Sequence, residues 1–74
     1  MANRRVDYLT GTQERILRCI REAITERGEA PTVKELGERL GMRSTATVHW
    51  HLARIEALGY ITRQPRTPRG IRLT

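Results

Sequence analysis

Residues 31–61, PTVKELGERLGMRSTATVHWHLARIEALGYI, hold two short helical periodicities separated by a turn of only a few residues, and that spacing permits little besides a helix-turn-helix. In the first of the pair, Thr32 is placed as N-cap with Glu35 three residues on. Each side chain of such a capping box satisfies a backbone N–H that a helix start leaves free. Pro31 discourages an earlier start. Val33, Leu36, Gly37 and Leu40 recur at spacings of three and four and so share one face, where the absent side chain of Gly37 lets a second helix cross closely. Gly41 suits the left-handed position that ends a helix, and Met42 follows as an apolar anchor.

The second helix of the pair is expected over about residues 45–58, with Ser44 as N-cap and Val48, Leu52, Ile55 and Leu58 as its buried stripe until Gly59. At about 100° per residue the opposite face carries Ala46, Trp50, Ala53 and Ala57, flanked by Thr47, His49 and Arg54. Glu or Lys is usual on a solvated face. A tryptophan among three alanines instead suits close approach to another surface.

Charge narrows what that surface is. Fourteen Arg or Lys oppose eight Asp or Glu, a formal charge of +6, and the excess is uneven. Residues 1–40 hold eight basic and seven acidic side chains, whereas residues 41–74 hold six arginines and the single acid Glu56. Thirteen of the bases are Arg, which makes bidentate contacts with phosphates and guanine edges. An acidic polymer is the partner such a distribution suits.

At 74 residues the chain is expected to be one domain, able to bury roughly 60% of its unfolded surface. Cys19 is the sole cysteine, so it forms no internal disulfide and anchors no zinc cluster; a structural place at the edge of a buried stripe is expected, not a redox role. With no apolar run of about 18 residues and no secretory pattern, a cytoplasmic location away from the membrane is expected.

Residues 1–8 lack periodicity and read as a flexible arm. Arg4 and Arg5 in it are within reach of a phosphate or a minor groove, although a frayed terminus explains them as well. The domain proper is read as 9–74. Thr10 with Gln13 forms a second capping box, opening a helix to about Arg27 with Ile16, Leu17, Ile20, Ala23 and Ile24 inward. Residues 60–63 and 70–73 read as two strands around the loop Gln64-Pro65-Arg66-Thr67-Pro68-Arg69, whose prolines stop the ladder from continuing. The result is a mainly α chain with a small β-hairpin: three helices followed by a two-stranded basic wing, a winged helix-turn-helix.

The order of several motifs resembles a known family. Leu9-Thr10-x-x-Gln13, then Ala30-Pro31-Thr32 with Glu35-Leu36-Gly37 and Leu40-Gly41, Arg43-Ser44, Leu52, Leu58-Gly59-Tyr60-Ile61 and Arg69-Gly70-Ile71-Arg72-Leu73 are similar to the N-terminal DNA-binding domain of LexA repressors. The resemblance implies a bacterial or phage repressor of the SOS, DNA-damage regulon, associated with the nucleoid and bound as a dimer to a palindromic double-stranded operator. It places the base-reading positions at Ser44, Ala46, Thr47, His49 and Trp50. The stretch 44–48 is similar to Ser/Thr-rich members, while His49 and Trp50 depart from the family's usual residues, so the operator is not legible.

From their own placement, Arg43, Arg54, Arg63, Arg66 and Arg69 are expected to neutralise phosphates, with wing residues 63–72 on the backbone or in the minor groove. One such module gives only a half-site's affinity. Monomers in solution and two copies on a palindrome are therefore expected.

LexA proteins also carry a self-cleaving domain with a Ser nucleophile and a Lys base, which dimerises them. The single serine here, Ser44, is a helix cap and the single lysine, Lys34, lies in the preceding helix's first turn, so self-cleavage is not expected. The chain is read as either an excised domain or a short stand-alone relative. His49 and His51, two apart, point to different sides of a helix and make no metal pair; His51 is read as a partly covered structural residue. No cofactor, metal, small-molecule substrate or enzymatic activity is expected. The rival from another class is a protein-interaction module anchored by Trp50. RNA binding is a weaker third, because Tyr8, Trp50 and Tyr60 are too dispersed to form a stacking platform.

Overall fold

A computed structural model describes residues 8–74, so all of the arm but Tyr8, and with it the reading of Arg4 and Arg5, lies outside the described residues. Three helices and a two-stranded hairpin follow in order: α1 (Gly11–Arg27), α2 (Val33–Leu40), α3 (Thr45–Ala57), β1 (Ile61–Arg63) and β2 (Ile71–Leu73). The helix starts fall where their caps place them. Thr10 and Thr32 each close a full capping box, with Gln13 and Glu35 respectively, and the Ser44 hydroxyl accepts from the Thr47 N–H at 3.4 Å.

The core is one cluster shared by every element. Ile16, Leu17 and Ile20 of α1 meet Leu36 of α2 and Val48, Leu52 and Ile55 of α3, and the hairpin closes the cluster with Ile61 and Ile71. Val33, Leu40 and Met42 pack at its margin, as does Ile24, which was expected further inside. Cys19 moves the other way: it is buried in the core, not at the edge of a stripe, and burial pushes its thiol up, away from the reactive thiolate. Leu58 is half-buried and serves as the C-cap of α3.

Close approach at Gly37 has a source more local than helix crossing. A Cβ there would lie 2.9 Å from the Met42 carbonyl oxygen and 3.7 Å from Val48 Cγ2, so it is mainly the backbone of the turn folding back over α2 that demands glycine. The same turn donates the Met42 N–H to the Gly37 carbonyl at 2.8 Å. That bond sets where α3 begins relative to α2.

The hairpin is antiparallel, with Ile61 opposite Leu73, Thr62 opposite Arg72 and Arg63 opposite Ile71. Alternation puts Ile61 and Ile71 into the core and turns Thr62 and Arg72 outward. Gly70 sits where a Cβ would come within 2.8 Å of the Gln64 carbonyl oxygen and 3.0 Å of Thr67 Cβ. Only glycine lets the loop double back that tightly.

Candidate nucleic-acid interface

The candidate surface is built on α3. Val48, Leu52 and Ile55 are fully buried, which forces the opposite side of the helix outward: Ala46, Thr47, His49, Trp50, Ala53 and Arg54 are all exposed. Trp50 is 60% exposed, so its ring is not folded into the interior. The wing lies beside this helix. His49 and Glu56 of α3 share a concavity of about 680 Å³ with Thr32, Val33 and Lys34 at the start of α2 and with the loop carrying Pro65, Arg66 and Thr67. Helix and wing therefore flank one concave face.

Of the base-reading candidates only His49 lines that concavity; the others lie on the exposed side of α3 and at its start, with differing freedom. Ala46, Thr47, His49 and Trp50 project from successive turns of α3 and are exposed. The Ser44 oxygen already caps the helix, which leaves its O–H as the group it has to offer. His51, adjacent to Trp50, is half-buried and turned toward α1, where its Nδ1 lies 3.2 Å from Gln13 Nε2.

The five arginines divide. Arg43 in the turn, Arg54 late in α3 and Arg66 in the wing are exposed, and among the described residues none of the three enters an ion pair. Arg66 is the one described non-glycine residue with a left-handed backbone, φ 61°, which holds it at the bend of the loop.

Arg63 and Arg69, also expected to face phosphates, are both paired within the DNA-free chain. The Arg63 backbone N–H and its Nε donate to the two Glu56 carboxylate oxygens at 3.1 and 3.0 Å, tying β1 to α3. Arg69 reaches back to α2 and binds Glu35 through both terminal nitrogens at 2.9 Å each, and one of these also donates to the Ala30 carbonyl at 3.0 Å. Its Nε is 3.7 Å from Glu29. A two-pronged guanidinium–carboxylate pair of this kind is short and orientation-specific. The Arg69 guanidinium holds the Glu35 carboxyl at about 2, helped by the Thr32 backbone N–H, well below the usual carboxylate range. Arg69 thus serves as a clasp on the wing. The acids that occupy these two arginines are far from obvious in the chain, 34 residues apart for Glu35–Arg69.

Sequence reasoning missed Lys34, which lines the concavity, and within the wing 63–72 it did not single out Gln64, which lines the concavity too, or Arg72, which is exposed on the outer side of the hairpin. Lys34 shares the concavity with the wing loop, which the Arg69–Glu35 pair ties to α2. Arg72 was legible from strand alternation alone. Among the described residues no group of three potential metal ligands gathers, and no helix is long and apolar enough to cross a membrane.

Comparison with known proteins agrees with the geometry. A family model described as the LexA DNA binding domain matches residues 6–70. The chain is similar to the LexA repressor of Caldicellulosiruptor saccharolyticus, 49% identical over 65 residues, covering 88% of this chain and 32% of that protein. It is 45% identical to the LexA repressor of Geobacillus thermodenitrificans over 65 residues (88% and 31% of the two chains) and 48% identical to that of Shouchella clausii over 63 (85% and 30%). The chain spans about a third of the length of these relatives.

Proposed function

The chain belongs to the LexA DNA-binding domain family, and from that premise we propose that it is the operator-reading part of a transcriptional repressor of the SOS, DNA-damage response. The observation that carries the reading is the outer face of α3, small and aromatic rather than charged, flanked by the exposed Arg43, Arg54 and Arg66. In this reading α3 enters the major groove and Thr47, His49 and Trp50 meet base edges, with Ser44 and Ala46 alongside. The small side chains of Ala46 and Ala53 allow the helix axis to come close to the groove floor. Arg43, Arg54 and Arg66 neutralise phosphates on either side and set register without reading sequence. Arg69 acts one step removed, by holding the wing where Arg66 reaches the backbone, and Arg63 does the same through Glu56.

A module of this size covers about 600–1,000 Å² of its own surface on DNA, so a single copy binds a half-site weakly. We propose that two copies occupy a palindromic double-stranded operator, with little self-association off DNA, in the bacterial or phage cytoplasm. No small molecule or membrane enters the mechanism, and catalysis has no part in what this domain does.

Selection of bound sequences from a random duplex pool at two salt concentrations tests the proposal. A two-fold-symmetric motif that survives at the higher salt is the expected outcome. Recovery of no motif, together with weak binding to polyanions at low salt, would favour docking of Trp50 onto a protein instead.

A further inference from the structure

Gln13 is a buried polar side chain, 2% exposed, and both ends of its amide are used. Its Oε1 accepts the Thr10 N–H at 3.1 Å, closing the cap of α1. Its Nε2 faces His51 Nδ1 on α3 at 3.2 Å. The reversed amide would set an NH2 group against a backbone N–H, donor against donor, so the cap fixes which end meets the histidine. His51 Nδ1 is then the acceptor, and the ring proton sits on Nε2. Held in this way, the imidazole meets the Trp50 indole edge-on, with centroids 5.1 Å apart and planes at 80°. That geometry is favourable for aromatic pairs.

We propose that Gln13 and His51 are positioning residues that orient Trp50, and through it set the base preference of α3; the inference rests on the reading that Trp50 meets DNA. An exposed tryptophan on a helix ordinarily samples several rotamers and must be ordered on binding. Here the neighbouring side chain, turned about 100° away and anchored to another helix, restricts the ring beforehand. The cap of α1 thereby influences the outer face of α3 across 38 residues of sequence.

The test uses the chain as it stands. Nitrogen-resolved NMR of the histidines should show His51 Nδ1 without a proton in the unaltered protein. Gln13→Glu keeps the acceptor that caps α1 but replaces the donor facing His51, and should bring a proton onto Nδ1. His51→Asn offers Gln13 an acceptor in place of Nδ1 yet removes the ring. It should leave helicity intact, increase the motion of Trp50 read by fluorescence anisotropy decay, and lower preference for the best operator over a scrambled duplex about three- to tenfold, with affinity for the scrambled duplex unchanged. Trp50 is the sole tryptophan, so the emission belongs to it alone. A proton on Nδ1 in the unaltered protein overturns the inference. So does a His51→Asn variant with unaltered Trp50 motion and operator preference while Trp50→Ala loses that preference. If Trp50→Ala itself leaves preference untouched, the base-reading role of Trp50 fails, and the DNA half of the inference fails with it, whereas the Nδ1 measurement still reports on the hydrogen bond.

Discussion

Replacing Arg66 and Arg69 separately by alanine distinguishes an arginine that touches DNA from one that holds the wing. Arg66 is exposed with no ion pair among the described residues, whereas the Arg69 guanidinium is bound to Glu35 and Ala30. Losing one phosphate contact lowers the slope of log affinity against log salt by about 0.9. Over a fourfold rise in salt, from about 50 to about 200 mM, that slope corresponds to a factor of about 3.5 per copy and about 12 for two copies on one operator. Arg66→Ala should therefore bind all duplexes more weakly at low salt and lose much of that deficit as salt rises. It should not alter which sequence is preferred, because the residue touches no base. Alanine is the appropriate replacement, since it retains a Cβ at φ 61° and leaves the bend no easier or harder to form. Arg69→Ala should weaken binding to all duplexes too, while the released hairpin gains hydrogen-exchange rate in β1 and β2. Anisotropy titrations of a labelled duplex at four or five salt concentrations supply the slopes. An Arg66→Ala slope equal to that of the unaltered protein would refute the phosphate role. A slope change for Arg69→Ala with no change in hairpin exchange would refute the clasp.

Glu35 makes stability depend on acid. Its folded pKa of about 2 lies below the ordinary glutamate value of 4.5, so the unfolded chain takes up the proton first; the stabilisation is complete above about 4.5 and is lost as pH falls toward 2. Thermal unfolding followed by circular dichroism should show a steeper fall between pH 5 and pH 2 for the unaltered protein than for Glu35→Gln, with both curves flat above that window as far as this residue is concerned. Leu52→Ala removes a fully buried side chain from the core cluster shared by the three helices and the hairpin, and should cost about 2–5 kcal/mol in a urea titration. Gly70→Ala pushes a methyl group against the Gln64 carbonyl and Thr67, so the wing should lose order and affinity while the helical signal at 222 nm is retained. Thr47→Ala should shift which operator is preferred at a cost of roughly 1–3 kcal/mol on the best site, and equal losses on specific and scrambled duplexes would remove Thr47 from the reading set.

Chain-local chemistry accounts for most of the secondary structure. Capping boxes at Thr10 and Thr32, the left-handed glycine at Gly41 and the 3.6-residue stripes operate within four or five residues, so the three helices and the outward placement of Ala46, Thr47, His49 and Trp50 were legible before any packing was considered. Alternation likewise located both strands to within a residue. Tertiary structure decided which charges are available. Composition shows six arginines against one acid beyond residue 40, yet Glu35 of the earlier half takes Arg69 and Glu56 takes Arg63. It also decided that Cys19 is buried, that Gln13 spends its second hydrogen bond on His51, and that Lys34 shares a concavity with the wing loop. Each of these depends on two elements distant in sequence meeting at a particular angle. Periodicity says which side of a helix is covered, and only the packed chain says by what.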